Sequence, residues 1–203
     1  MRAWVGWPLG LAAAFMLGAC PFAVWLTRAG GRDARRVGDG NPGAANAFRA
    51  AGFWIGAAVL VLDVGKGFVP GYLALRHLAT TWPLAAVAAA LPVYGHRLSP
   101  FLRGRGGIGL ASWVGSVAGF LGPLAAVLLG CGFACGLAIR RLDRPSTVAV
   151  GAALLFIGIQ ASPEVLWPAW RVHAVWPANL FWLLTAPLVW WGYRIREVRR
   201  RKV

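Results

Sequence analysis

Read for polarity alone, the chain alternates long apolar runs with short basic segments. The apolar runs cover about 4–26, 51–75, 79–96, 108–122, 123–139, 147–162 and 175–193. A helix that crosses a bilayer needs about 20 predominantly apolar residues. The pattern therefore predicts an all-α integral membrane protein of about seven transmembrane helices, folded as a single polytopic domain over residues 1–203. The fourth, fifth and sixth runs are short. Gly122-Pro123 is the sole turn signal between the fourth and fifth, which leaves a re-entrant or tilted arrangement there open beside two full spans.

Composition agrees with the pattern. Of 203 residues, 59% are hydrophobic and 13% charged, against roughly 25% charged in soluble domains. Many of the 12 tryptophans lie near the ends of apolar runs (Trp4, Trp7, Trp25, Trp82, Trp167, Trp170, Trp176, Trp190, Trp191), as an interfacial aromatic belt requires. The net charge of +15 suggests nucleic acid at first sight. The charges flank the apolar runs instead of forming one patch, so anionic lipid headgroups and topology explain them better, and no nucleic-acid partner is expected.

The distribution of Lys and Arg sets an orientation. With the N-terminus outside, the segments 27–50, 97–107, 140–146 and the tail from Arg194 carry 17 Lys and Arg, and the outer segments carry only Arg2, Arg76 and Arg171. Positive residues concentrate on the cytoplasmic side. The asymmetry predicts N-out and C-in, and favours seven spans over six. Cys20, Cys131 and Cys135 all lie within apolar runs. They read as small packing residues, not as a disulfide framework or metal ligands.

Three polar features exceed what packing needs. The first is the segment 35–49, with Gly38, Gly40 and Gly43, Asn41 and Asn46, Asp39, and basic residues at both ends including Arg49. Glycine-rich backbone beside arginine can form a concave anion site; a plain connecting loop has the same composition. Gly38-x-Gly40-x-x-Gly43 also matches the dinucleotide fingerprint, but that motif needs a preceding strand. The second is Asp63 and Lys66, three residues apart inside an apolar run. They share a helix face and can pair, and charges at membrane depth face the bundle interior or a polar cavity. The third runs from Gly95-His96 through Arg103 and Arg105-Gly106-Gly107 to Ile108. It reads as a phosphate cradle at the start of a helix, or as a short basic loop with His96 as an interfacial hydrogen-bonding group.

Taken in order, Val37-Gly-x-Gly-Asn-x-Gly-Ala-x-Asn-x-x-Arg49, Leu62-Asp-x-x-Lys-Gly67 and the Gly95-His96 to Gly109 stretch resemble the bacterial acyl-phosphate:glycerol-3-phosphate acyltransferases, the PlsY type. The resemblance is strong over about residues 21–112 and looser beyond. It implies a small integral membrane enzyme with seven spans. Such an enzyme transfers a fatty acyl group from acyl phosphate to the 1-position of glycerol 3-phosphate, giving lysophosphatidic acid, without metal, cofactor or acyl-carrier thioester. It implies a bacterial inner-membrane location with cytoplasmic site loops and membrane lipids as surroundings; it leaves the oligomeric state open. By residue, it makes Asp39, Asn41 and Arg49 catalytic. Gly38, Gly40, Gly43, Asn46, Lys66, His96, Arg105, Gly106 and Gly107 become substrate-binding, and Asp63 and Glu197 supporting. In this scheme the N–H groups of Gly40, Gly106 and Gly107 act as neutral donors.

The departures from the family are specific. Asp39 stands where the family has Ser, and Ile108 where it has Lys. In the C-terminal run Tyr193-Arg194-Ile195-Arg196-Glu197-Val198, Ile195 and Val198 replace His and Asn. Two readings result. One is an acyltransferase in which Asp39 serves as a general base or favours a less charged acceptor. The other is a non-catalytic relative that binds lipid phosphate or a partner.

Overall fold

The computed structural model describes residues 3–78, 81–139, 143–161 and 175–200, and the described secondary structure is helical. The first apolar run folds as two helices. α1 (Ala3–Ala19) and α2 (Phe22–Ala29) meet at Cys20–Pro21 with a bend of 44°. Pro21 has no N–H for the helical ladder and disfavours a helical residue before it. Side chains from far along the chain take carbonyls at the break. Ser99 Oγ donates to Ala19 O at 2.6 Å, and Lys66 Nζ to Cys20 O at 2.9 Å.

α3 (Ala44–Leu78) begins earlier than its apolar run, so the second half of segment 35–49 is helix, not loop. A non-helical residue, Gly52 at φ 81° and ψ −174°, separates this amphipathic start from the membrane-length remainder. Arg32 Nη1 donates to the carbonyl of Ala50 beside that break, at 3.1 Å. α4 (Trp82–Arg97), α5 (Leu110–Phe120), α6 (Pro123–Ala138), α7 (Arg144–Ala161) and α8 (Val175–Arg200) complete the described helices. α4 lies centrally, against α1, α3, α5 and α8. Alanines 85, 86, 88, 89 and 90 fill its buried faces. Small side chains let four neighbours approach one helix.

By length and apolarity α3 and α7 can each cross a membrane, and the bent α1–α2 pair is a third candidate. The expected span at 108–122 is cut to the 11 residues of α5, because Gly109 (φ 90°) opens the helix and Gly122 (φ 105°) closes it. At about 1.5 Å per residue, α5 is roughly 16 Å long, about half a bilayer core. Residues 79, 80, 140–142 and 162–174, with Arg171, Trp167 and Trp170, lie outside the described residues, as do Met1 and Arg2.

Cys131 and Cys135 face outward from α6, contrary to their expected packing role. Gly132 and Gly136 carry the contact instead, against Gly151 and Thr147 of α7. Several polar side chains in and around the core bridge helices. Trp113 Nε1 donates to Thr185 Oγ1 at 2.9 Å, Trp182 Nε1 to Ala152 O at 2.9 Å, and Tyr94 OH to Leu184 O at 2.8 Å. With no water in the hydrocarbon, such donors need protein acceptors.

The tightest seam joins α3 to α5. A side chain at Gly67 would strike the Ser112 carbonyl, and one at Gly115 would strike the Val64 carbonyl. Gly65 has nothing within 4 Å. Gly67→Ala should therefore force the helices apart and destabilise the protein by about 1–3 kcal/mol, as overpacking does. Gly65→Ala should be neutral. Melting temperatures in detergent check the pair, and equal effects would refute the seam.

Lys66 and Asp63 form an ion pair, Nζ to Oδ1 2.6 Å, with side chains 1% and 2% exposed. Removing one partner of such a pair strands the other, at about 3–5 kcal/mol. Lys66→Met should lose that much stability, and adding Asp63→Leu should recover most of it. A double variant no better than the single one would show that the pair is not coupled.

Candidate phosphate site where four chain segments meet

The segment before α3 is pinned first by Asp33. Its carboxylate accepts from Arg35 N at 2.9 Å and lies 2.7 Å from Arg35 Nη2 and 3.2 Å from Arg28 Nε. The Arg35 guanidinium holds this carboxyl well below the usual range. The chain then turns through Gly38 (φ 59°) and Gly40 (φ 68°) into α3.

Asn46, on the first turn of α3 and 1% exposed, ties this turn to the helix. Its Nδ2 donates to Asp39 Oδ1 at 2.8 Å and to Asn41 O at 3.1 Å, and its Oδ1 accepts from Arg49 Nη1 at 2.7 Å. Residues 46 and 49 stand on one helix face. At Gly38 a side chain would lie 2.5 Å from Asn46 Oδ1 and 3.0 Å from Arg49 Nη1, so the close approach of this turn requires glycine.

Asn41 Oδ1 accepts from Ile108 N at 3.1 Å, which joins the first loop to the glycine-rich loop before α5. Arg196 of α8 donates to Asp39 O at 3.1 Å and to Gly106 O at 3.4 Å, bridging both loops. Arg144, at the start of α7, places Nη1 3.4 Å from Asp39 Oδ2. The first and third motif segments, the start of α7 and the C-terminal run thus meet at one end of the bundle. Sequence reasoning missed Arg144 and Arg196 as contributors. The only signal for Arg144 is its place in a basic segment. The C-terminal run that contains Arg196 points, by resemblance, to Glu197 alone. Glu197 is half-buried beside it on α8.

Burial pushes the Asp39 carboxyl upward. The Asn41 N–H, the Asn46 amide and the Arg196 and Arg144 charges more than offset this, so it sits below its ordinary value and remains ionised.

Several expected donors are already engaged. The N–H groups of Gly40, Gly106 and Gly107 donate to Val37 O, Arg97 O and His96 O, each at 3.1 Å. Turns this tight satisfy their own backbone. Gly43 N donates to Asn41 O at 2.8 Å, and its carbonyl starts α3. The side chains at the surface of the junction are exposed Arg49, exposed Arg105 on the second loop and half-exposed Arg144, with Arg196 bridging the loops. Ile108, where a cation is missing by resemblance, is 3% exposed and packs in the apolar core.

Lys66 and Asp63 lie beneath this surface. Besides Asp63, Lys66 serves the Cys20 carbonyl and sits 5.4 Å from the centre of the Phe22 ring. His96 Nδ1 is 3.4 Å from Ser112 Oγ and 4.0 Å from Asp63 Oδ1. Its Nε2 edge abuts Gly107: a side chain there would run into the imidazole and lie 3.2 Å from Asn41 Oδ1. His96 is therefore the wall between the buried pair and the loops.

Known proteins match the chain over the same stretch that the helices and loops occupy. The glycerol-3-phosphate acyltransferase family model matches residues 9–201. A glycerol-3-phosphate acyltransferase of Thermus thermophilus is 33% identical over 195 residues, 95% of this chain and 90% of the relative. Glycerol-3-phosphate acyltransferase 1 of Deinococcus radiodurans is 43% identical over 110 residues, about half of either chain (54% and 55%). A crystal structure of PlsY (YgiH), an integral membrane glycerol 3-phosphate acyltransferase in its glycerol 3-phosphate form, superposes with a TM-score of 0.76 over 97% of this chain and 92% of that one. At 23% identity it establishes the shared all-helical membrane fold. Family model, full-length relative and fold agree over one continuous stretch, and on that agreement the chain belongs to the glycerol-3-phosphate acyltransferase family.

Proposed function

We propose that this membrane protein acylates glycerol 3-phosphate, using acyl phosphate as donor, at the junction of its two glycine-containing loops. The acceptor hydroxyl attacks the acyl carbonyl carbon, the carbon–oxygen bond to phosphate breaks, and lysophosphatidic acid and inorganic phosphate result. Both substrates carry phosphate, so the protein's work is to hold two anionic groups in line and stabilise charge that develops at the carbonyl oxygen. The supporting observation is the convergence of three arginines, Arg49, Arg144 and Arg196, on one Asn46-centred loop. Arg49 and Arg105, exposed at the loops, are the residues that meet phosphate, with Asn41 and Asn46 holding the loops in place. Asp63, Lys66 and His96 support the floor from below. Glu197 supports the same surface from α8.

The chemistry is expected on the cytoplasmic face of a bacterial inner membrane. The reading includes seven spans in one polytopic domain, N-out and C-in, on the strength of 17 inner against 3 outer basic residues. Purified protein should form lysophosphatidic acid from acyl phosphate and glycerol 3-phosphate. Arg49→Ala should lower kcat/KM by about 100-fold or more, the usual cost of removing one charge-stabilising group. Absence of transfer, with phosphate binding retained, would favour the binding-only relative.

Orientation is tested by single cysteines at positions 39 and 105, after replacement of Cys20, Cys131 and Cys135. A membrane-impermeant thiol reagent should label both from the cytoplasmic side alone; labelling from outside would overturn the topology.

A further inference from the structure

Asp39 stands in the middle of the loop junction with each of its oxygens engaged. Oδ1 accepts from Asn41 N at 3.1 Å and from Asn46 Nδ2 at 2.8 Å, Oδ2 lies 3.4 Å from Arg144 Nη1, and the backbone carbonyl accepts from Arg196. Its side chain is 11% exposed although it sits in a surface loop. The groups around the carboxylate are one backbone N–H, one fully buried amide and one guanidinium. This is the donor set that a phosphate group draws on. They come from the loop itself, α3 and α7, so the carboxylate is surrounded as a bound anion would be.

We propose that Asp39 is a resident anion and the specificity-determining residue of this site: its carboxylate occupies donors that a phosphate group of a substrate would otherwise use. A phosphate entering the junction has to draw Asn46 and Arg144 away from Asp39 and tolerate a negative charge close by. The repulsion is felt most by a dianion and least by a ligand of low charge. Asp39 thereby weakens phosphate binding while it keeps Arg144 and the loop ordered between turnovers. This inference rests on the reading of the junction as a phosphate site.

The test uses the full chain in detergent, with inorganic phosphate as the binding probe and KM measured separately for glycerol 3-phosphate and for acyl phosphate. Asp39→Ser removes the charge and shortens the side chain. Asp39→Asn keeps the shape and serves if the serine variant does not fold, as read from its melting temperature. Either variant should tighten inorganic phosphate binding and lower the KM of at least one substrate by about tenfold, and the substrate whose KM falls is the one whose phosphate uses this place. The gain should shrink at high salt, because charges near the surface are screened. Arg144→Gln in the Asp39→Ser background should remove most of it. Unchanged phosphate affinity and unchanged KM values in a folded Asp39→Asn protein would overturn the proposal. So would loss of turnover at unchanged phosphate affinity, which would make Asp39 a general base. Tighter phosphate binding without any acyl transfer, in wild type or variant, would sustain the resident anion and refute the proposed reaction instead.

Discussion

The site depends on one buried amide. Asn46 has its oxygen and its nitrogen engaged inside the protein, and its partners are Asp39, Asn41 and Arg49. An amide closed off from water in this way costs heavily if any partner is lost, and fixes geometry when all are present. Through Asn41 it reaches the second loop, since Asn41 Oδ1 holds Ile108 N. Through Asp39 it reaches α7 and α8, by way of Arg144 and Arg196. The relative placement of four chain segments therefore depends on a side chain buried beneath the surface that it organises.

The same requirement, that polar atoms find partners within the protein, shapes the membrane part. Helices come close where side chains are small or absent, as at Gly67 and Gly115 between α3 and α5 and along the alanines of α4. Some buried donors bridge two helices, as Trp113 does to Thr185, and others serve their own helix, as Thr185 does to Phe181 O. The Lys66–Asp63 pair obeys the rule too, for the ammonium also supplies the Cys20 carbonyl at the helix break. Charge at depth is thus a consequence of the broken helix as much as a feature of the site.

Much of this is legible in the sequence. Apolar runs and basic connectors indicate the helical membrane class, and the spacing of Asp63 and Lys66 indicates their pairing, because both signals are local. Other features are not local. Arg144 and Arg196 meet Asp39 across 105 and 157 residues, and no periodicity encodes such a contact. The break at Cys20–Pro21 is hidden inside one apolar run, since proline in a transmembrane helix is tolerated whenever a partner elsewhere takes the freed carbonyls. The early start of α3 is hidden by its polar composition: Asn46 and Arg49 look like loop residues until their partners are known. The loop glycines suggest free N–H donors, whereas in the folded chain those N–H groups serve the turns themselves.

The broken first helix has a consequence for how the chain is assembled. The carbonyls of Ala19 and Cys20 obtain their donors from Ser99 and Lys66, which lie 80 and 46 residues further along. At a synthesis rate of about 5–20 residues per second, the wait for Ser99 is roughly 4–16 s. For the first part of that interval the kink has neither of its native partners, and afterwards only Lys66. Bare carbonyls are costly in hydrocarbon. The bent α1–α2 pair therefore gains its native partners only once α3 and Ser99, just past α4, have arrived beside it, so it settles after helices synthesised later than itself.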